Sequence, residues 1–233
     1  MNRVWAILTA LATIAFVVSP FLVPGFDGFE PSQFPVPQED PPVQPAGYAF
    51  AIWGLIYAWL VIGAGFGALV RASDPDWAAM RPPLFASLAL GAAWLPVAQV
   101  APIPATVLIW AMLGLALLAL FRVGDTDRWL QQAPVAIYAG WLTAASCVAL
   151  GLVLAGYDWL DQTVAALVSL TVALGIAVPA QYLLHRAPEY GITVIWALVA
   201  IIVANSQPFN AAVAGLALIG IVVILGLRGT DTE

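Results

Sequence analysis

The sequence predicts an all-α protein, a polytopic membrane helix bundle of about eight transmembrane helices. Three observations predict it. Of the 233 residues, 63% are hydrophobic and 9% charged, where a soluble domain of this size carries about 25% charged residues. The apolar residues fall into eight runs separated by polar turns, and a bilayer core of about 30 Å takes about 20 helical residues to cross. Counted as eight spans, the chain puts all seven arginines on one side: Arg3, Arg71, Arg81, Arg122, Arg128, Arg186 and Arg228. Dropping or splitting one span would scatter them over both faces. The positive-inside rule makes their side, and both termini, cytoplasmic.

The first expected span is 4–23. A basic residue ahead of an apolar run also suits a signal peptide, but no small-residue cleavage site follows, so the run is read as a helix. Residues 24–46 are rich in Pro, Gly and acids without apolar period. They form a long periplasmic loop, partly polyproline-like, either folded over the bundle mouth or free.

The second span is 47–70, followed by a polar loop at 71–82. The third is 83–100, with Pro96 as a kink. A tight turn at 101–104 leads to the fourth at 105–121, and a charged loop at 124–132 to the fifth at 133–155. The sixth, seventh and eighth cover 163–184, 190–205 and 209–227. Residues 1–155 are read as a five-helix core and 156–233 as three additional transmembrane helices. Trp5, Trp77, Trp129 and Trp159 fall at expected interfaces, where an aromatic belt belongs.

Residues 45–66, PAGYAFAIWGLIYAWLVIGAGF, stand out. Phe50, Trp53, Tyr57 and Leu60 recur at i, i+3, i+7 and i+10, one stripe along about three helical turns. Two readings are open: helix–helix packing, or an aromatic-lined pocket. At a rise of about 1.5 Å per residue, Trp53, Tyr57, Trp94 and Trp141 all lie between the midplane and the outer half of the membrane.

This stretch resembles the second helix of the TspO/translocator family of tryptophan-rich sensory proteins, where a proline-rich loop precedes aromatic-x-x-Trp-x-x-x-Tyr. Ala93-Trp94-Leu95-Pro96 is similar to that family's third-helix Trp-x-Pro segment. Pro134 to Trp141, with Tyr138 between and Thr143-Ala144-Ala145 after, is similar to the fifth. The likeness covers about residues 1–155, and the family is usually a five-helix protein. The resemblance implies that helices two, three and five face one cavity. It implies porphyrin or sterol-like ligands and, in photosynthetic bacteria, a link to pigment regulation. The expected ligand-binding residues are Phe50, Trp53, Tyr57, Trp94, Gln99, Tyr138 and Trp141. The expected location is the bacterial inner (cytoplasmic) membrane.

No Asp, Glu, Lys or Arg falls inside an expected span. Ion-coupled transport and intramembrane hydrolysis need such groups to relay protons or activate water. No Ser/His/Asp set, His–Glu metal spacing or glycine-rich phosphate loop is present, so no catalytic residue and no metal ligand is assigned. The lone Cys147 supports neither a disulfide framework nor a cysteine metal site. A net charge of −6 without lysine argues against nucleic-acid binding. Gln99, Gln181, Asn205 and Asn210 read mainly as hydrogen-bonding glue between helices. His185, beside Arg186 at a helix end, reads as a solvated interfacial residue rather than an axial ligand. The segment from Val178 through Tyr182 to Arg186 matches a loose sterol pattern of little weight.

The leading expectation is a membrane receptor or sensor, not an enzyme, that binds a hydrophobic tetrapyrrole-type ligand without turnover. The cofactor candidates are a porphyrin, a (bacterio)chlorophyll-type pigment and bound lipids. The alternative is an accessory subunit of a larger membrane complex, such as a photosynthetic pigment–protein complex, or a homo-oligomer. A transporter or enzyme is the third reading.

Overall fold

The computed structural model describes residues 1–23 and 28–229. Residues 24–27 of the long loop, the Arg228 side chain and the tail from 230 onward lie outside the described residues. Eight α-helices make up most of the described chain: α1 (Asn2–Leu22), α2 (Ile52–Leu69), α3 (Arg81–Ala98), α4 (Pro102–Phe121), α5 (Gln132–Gly156), α6 (Gln162–Leu183), α7 (Pro188–Ala204) and α8 (Ala211–Gly229). Five segments, α1, α2 with its preceding turn, α4, α5 and α6, are long and apolar enough to cross a membrane, and α7 and α8 are shorter apolar helices. The eighteen residues of α3 open on Arg81-Pro-Pro and close after Pro96, which lowers its apolar content.

Local chemistry sets the helix starts. Pro102 and Pro188 each occupy the first helical position, where a missing N–H costs nothing and φ is already helical. This shortens the expected turn at 101–104, because Pro102 through Pro104 belong to α4. The Asp161 carboxylate caps α6 by accepting from the Thr163 and Val164 amides at 2.9 and 3.4 Å. The expected second span is divided: Gly47–Ala51 winds as a 3-10 turn before α2 begins.

The helices close into two rings. α1 packs against α2 and α3, α3 against α4, α4 against α5, and α5 returns to α2. A second ring runs from α5 to α6, α8 and α7 and back to α5. The shared helix is the hub: 72% of an 18-residue stretch of α5 is buried, against 22% of the corresponding stretch of the span containing α2. Gly140 lets α7 come close, since a Cβ there would stand 2.6 Å from the Tyr190 carbonyl oxygen. Beside that crossing the Thr143 and Tyr190 hydroxyls are hydrogen-bonded at 3.0 Å.

At one end of the bundle the proline-rich loop folds across the helix ends. The Val36 amide donates to Gly156 O at 2.9 Å, Gln33 Nε2 to Ala98 O at 2.9 Å and Ala46 N to Ala200 O at 3.1 Å. Asn205 Nδ2 donates to Pro42 O at 2.8 Å. Phe34 and Val43 are buried beneath the loop. Of the two readings open in the sequence, the described part of this loop takes the folded one.

The opposite end gathers arginines. Arg3 donates to Ser73 Oγ at 2.8 Å, Arg71 pairs with Asp127 at 2.7 Å, Arg128 with Glu189 at 2.5 Å and Arg186 with Asp125 at 2.8 Å. The Arg71 hydrogen bond, helped by the Trp77 N–H, holds the Asp127 carboxyl below its ordinary range despite partial burial. Bonds from Thr126 do the same for Asp76. Two expectations need correcting here. Arg81 and Glu189 lie inside α3 and α7, because both helices start before their apolar runs. Trp77 is 1% exposed and buried rather than at an interface, since its indole reaches Asp127 Oδ2 at 3.0 Å.

Candidate functional site: an aromatic chamber in the first ring

The first ring is not packed solid. Its half nearer the proline-rich loop holds a chamber of about 180 Å³. α2 contributes Trp53 and Tyr57, one helical turn apart, and the 3-10 turn before it contributes Phe50. α5 supplies Trp141, α3 supplies Trp94 and α1 closes the wall with Phe16. Ile109 and Met112 of α4 form an aliphatic face. An annex of about 60 Å³ shares Phe50, Trp94 and Trp141 and runs outward to Phe29, Gln44 and Pro45 of the folded loop.

The rings are interlocked. Trp53 stacks on Tyr57 with centroids 5.2 Å apart and planes 21° from parallel. Phe16 meets Trp53 and Tyr57 edge-on at 5.9 and 5.3 Å, and Trp141 meets Trp53 and Phe50 edge-on at 6.1 and 5.9 Å. Such edge and offset contacts each add about 0.5–1.5 kcal/mol beyond area burial. Phe16 sits this deep because α3 offers a glycine opposite it: a Cβ on Gly91 would approach its ring to 2.7 Å.

Five of the seven residues expected from the sequence, Phe50, Trp53, Tyr57, Trp94 and Trp141, meet around this chamber. Tyr138 stands behind the wall, fully buried, its hydroxyl 3.0 Å from Ser87 Oγ and its ring against Phe16. Ser87 in turn donates to Met112 O at 2.8 Å. Gln99 is exposed at the C-cap of α3, away from the lining. Sequence reasoning missed Phe16, Ile109 and Met112. The last two are three residues apart, an available signal for one helix face, but aliphatic residues in an apolar run do not draw attention.

The wall is chemically sparse. Among the described lining residues Tyr57 is the only titratable one, and no Arg, Lys or His is present. The Trp94 indole N–H is committed to Ala105 O at 2.8 Å. The Trp141 indole N–H is different: the residue is 2% exposed and its Nε1 has no hydrogen-bond partner. Native proteins leave few such donors, and an unpaired buried N–H costs about 1–3 kcal/mol. The arrangement offers flat apolar surfaces and one uncommitted donor in the wall. Among its described lining residues no carboxylate, imidazole, amine or thiol is present.

A family model described as TSPO-like protein matches residues 5–229 and so takes in α6, α7 and α8 as well as the first ring. No curated protein and no solved structure matches the chain.

Proposed function

The chain belongs to the TSPO-like protein family, and from that premise we propose a membrane receptor that holds a flat, hydrophobic, tetrapyrrole-type ligand in the aromatic chamber without turnover. The observation that carries the reading is the chamber itself, walled by Trp53, Tyr57 and Trp141 and with no acid, base or cysteine other than Tyr57 among its described lining residues. Stacking and dispersion on such walls suit a conjugated ring. Binding also offers a role for the Trp141 N–H, which an acceptor atom on the ligand would satisfy. On this reading α1–α5 form the ligand-holding core and α6–α8 brace α5 from outside. The arginine-rich end faces the cytoplasm of a bacterial inner membrane, and the folded loop faces the periplasm.

The deciding experiment titrates the purified protein with a porphyrin and follows tryptophan fluorescence alongside the absorption spectrum of the ligand. Saturable quenching at one ligand per chain with an unchanged ligand is expected. Absence of saturation removes the receptor reading, and steady consumption of the ligand removes the claim of no turnover.

A further inference from the structure

The annex abuts a further cavity across two residues of the folded loop. Gln44 and Pro45, which line the annex, also line a larger polar vestibule of about 470 Å³ at the outer surface. Its walls are the loop segment 40–47 on one side and the α7–α8 turn on the other, with Asp40, Asn205, Gln207 and Asn210 among them. One residue pair thus separates an apolar aromatic space from a polar amide-lined one. Size makes the connection matter. Ligand pockets run at about 300–1,000 Å³, and the chamber at 180 Å³ falls short of that range.

Charge sorts the two ends of the molecule. Arg3, Arg71, Arg81, Arg128 and Arg186 are each hydrogen-bonded or ion-paired at the far end. The vestibule end carries Glu30, Glu39, Asp40, Asp158 and Asp161. Among the described residues no cation lines the chamber, the annex or the vestibule. A carboxylate entering this tract would lose water without gaining a counter-charge, which is costly, and would face acids at its mouth.

We propose that the ligand is an amphiphile whose flat apolar part fills the chamber and annex while its polar end, uncharged or cationic, passes Gln44 into the vestibule. The inference rests on the receptor reading above and narrows it: an esterified or amidated tetrapyrrole fits, and one bearing free carboxylates does not.

The test uses the full chain in nanodiscs of zwitterionic lipid, with a dicarboxylic porphyrin and its dimethyl ester as probes and tryptophan fluorescence as readout. The ester is expected to bind about tenfold more tightly, equivalent to about 1.4 kcal/mol. Because the ester also partitions better into lipid, the decisive quantity is how the ester-to-acid ratio changes between variants. Gln44→Arg, which places a cation at the partition, should shrink that ratio severalfold. Asp40→Asn, which keeps a residue tolerant of the positive φ found there, should shrink it less. If acid and ester bind equally to the unmodified chain, or the ratio is unmoved in both variants, the inference fails while the receptor reading stands. If neither probe binds, both fall together.

Discussion

Trp53 and Tyr57 lie one turn apart on α2 and stack face to face, 5.2 Å between centroids. The stack presents a flat wall to the chamber, whereas Tyr138 stands behind Phe16, which meets that stack edge-on, and its hydroxyl is hydrogen-bonded to Ser87. Lining and support respond differently to substitution. Trp53→Ala should weaken porphyrin binding by about 1–3 kcal/mol, the range that base–aromatic stacking contributes in nucleic-acid binding. Tyr138→Phe should leave affinity unchanged and lower stability by about 0.5–1.5 kcal/mol, the net worth of one hydrogen bond. Titrations paired with melting curves separate the two. Equal affinity in folded Trp53→Ala would move the aromatic stripe back to packing alone.

Two of the tryptophans that line the chamber, Trp94 and Trp141, make a sharper comparison. Trp94 spends its N–H on Ala105 O, and Trp141 spends its N–H on nothing. Trp94→Phe should therefore lower stability by about 1 kcal/mol more than ring size alone accounts for. Trp141→Phe also loses ring volume but sheds an unpaired donor, so the ligand-free protein should melt close to the unmodified one. With a ligand that carries an acceptor atom the order reverses in affinity, Trp141→Phe losing more than Trp94→Phe. A large drop in the melting temperature of ligand-free Trp141→Phe would show that the donor has a partner after all.

The stack and the stripe were legible because spacing alone decides them: residues 53 and 57 share a helix face wherever that helix sits. The gathering of arginines at one end was legible for the same kind of reason, since counting spans fixes sides. Which helix would be the hub was not. α5 reads as one apolar run among eight, and its burial comes from having α2, α4, α6 and α7 around it. Arg81 was hidden by its composition. An arginine in a polar loop reads as solvated, yet this one is 1% exposed. Its guanidinium donates at 3.0 Å to Gly67 O, among the last carbonyls of α2, and at 2.8 Å to Arg71 O just beyond that helix. Those acceptors lie 14 and 10 residues back, beyond any local pattern. In the chamber, Phe16 was missed because its depth depends on Gly91 of another helix.

Acid should loosen the arginine end first. The Asp127 carboxyl is held below its ordinary range chiefly by the Arg71 hydrogen bond, and Asp76 by Thr126. A carboxylate with a lowered folded-state pKa contributes stability that is fully present above the unfolded value of about 4 and is lost as pH falls through the folded value. The melting temperature should thus be flat from neutrality to about pH 5 and fall below about pH 4. Asp127→Asn, which cannot titrate, should start lower at neutral pH and fall less steeply. Parallel melting profiles for the two proteins would show that this pair carries none of the acid sensitivity.

The proposed orientation rests on the same end of the molecule. Much of its positive charge is neutralised by Asp125, Asp127 and Glu189, so a net-charge argument would leave the direction undecided. Topogenesis, however, counts Lys and Arg near the membrane and gives acids little weight. By that count the bias is complete among the described residues. Arg71 and Arg81 flank one turn, Arg122 and Arg128 the next and Arg186 the third, while the turns at the loop end carry none. A reporter fused at Gly124 should read cytoplasmic and one at Asp158 periplasmic. Moving an Arg pair into the 156–162 turn while removing Arg122 and Arg128 should produce mixed topology. A periplasmic signal at Gly124 in the unmodified chain would invert the assignment, and the polar vestibule would then open to the cytoplasm.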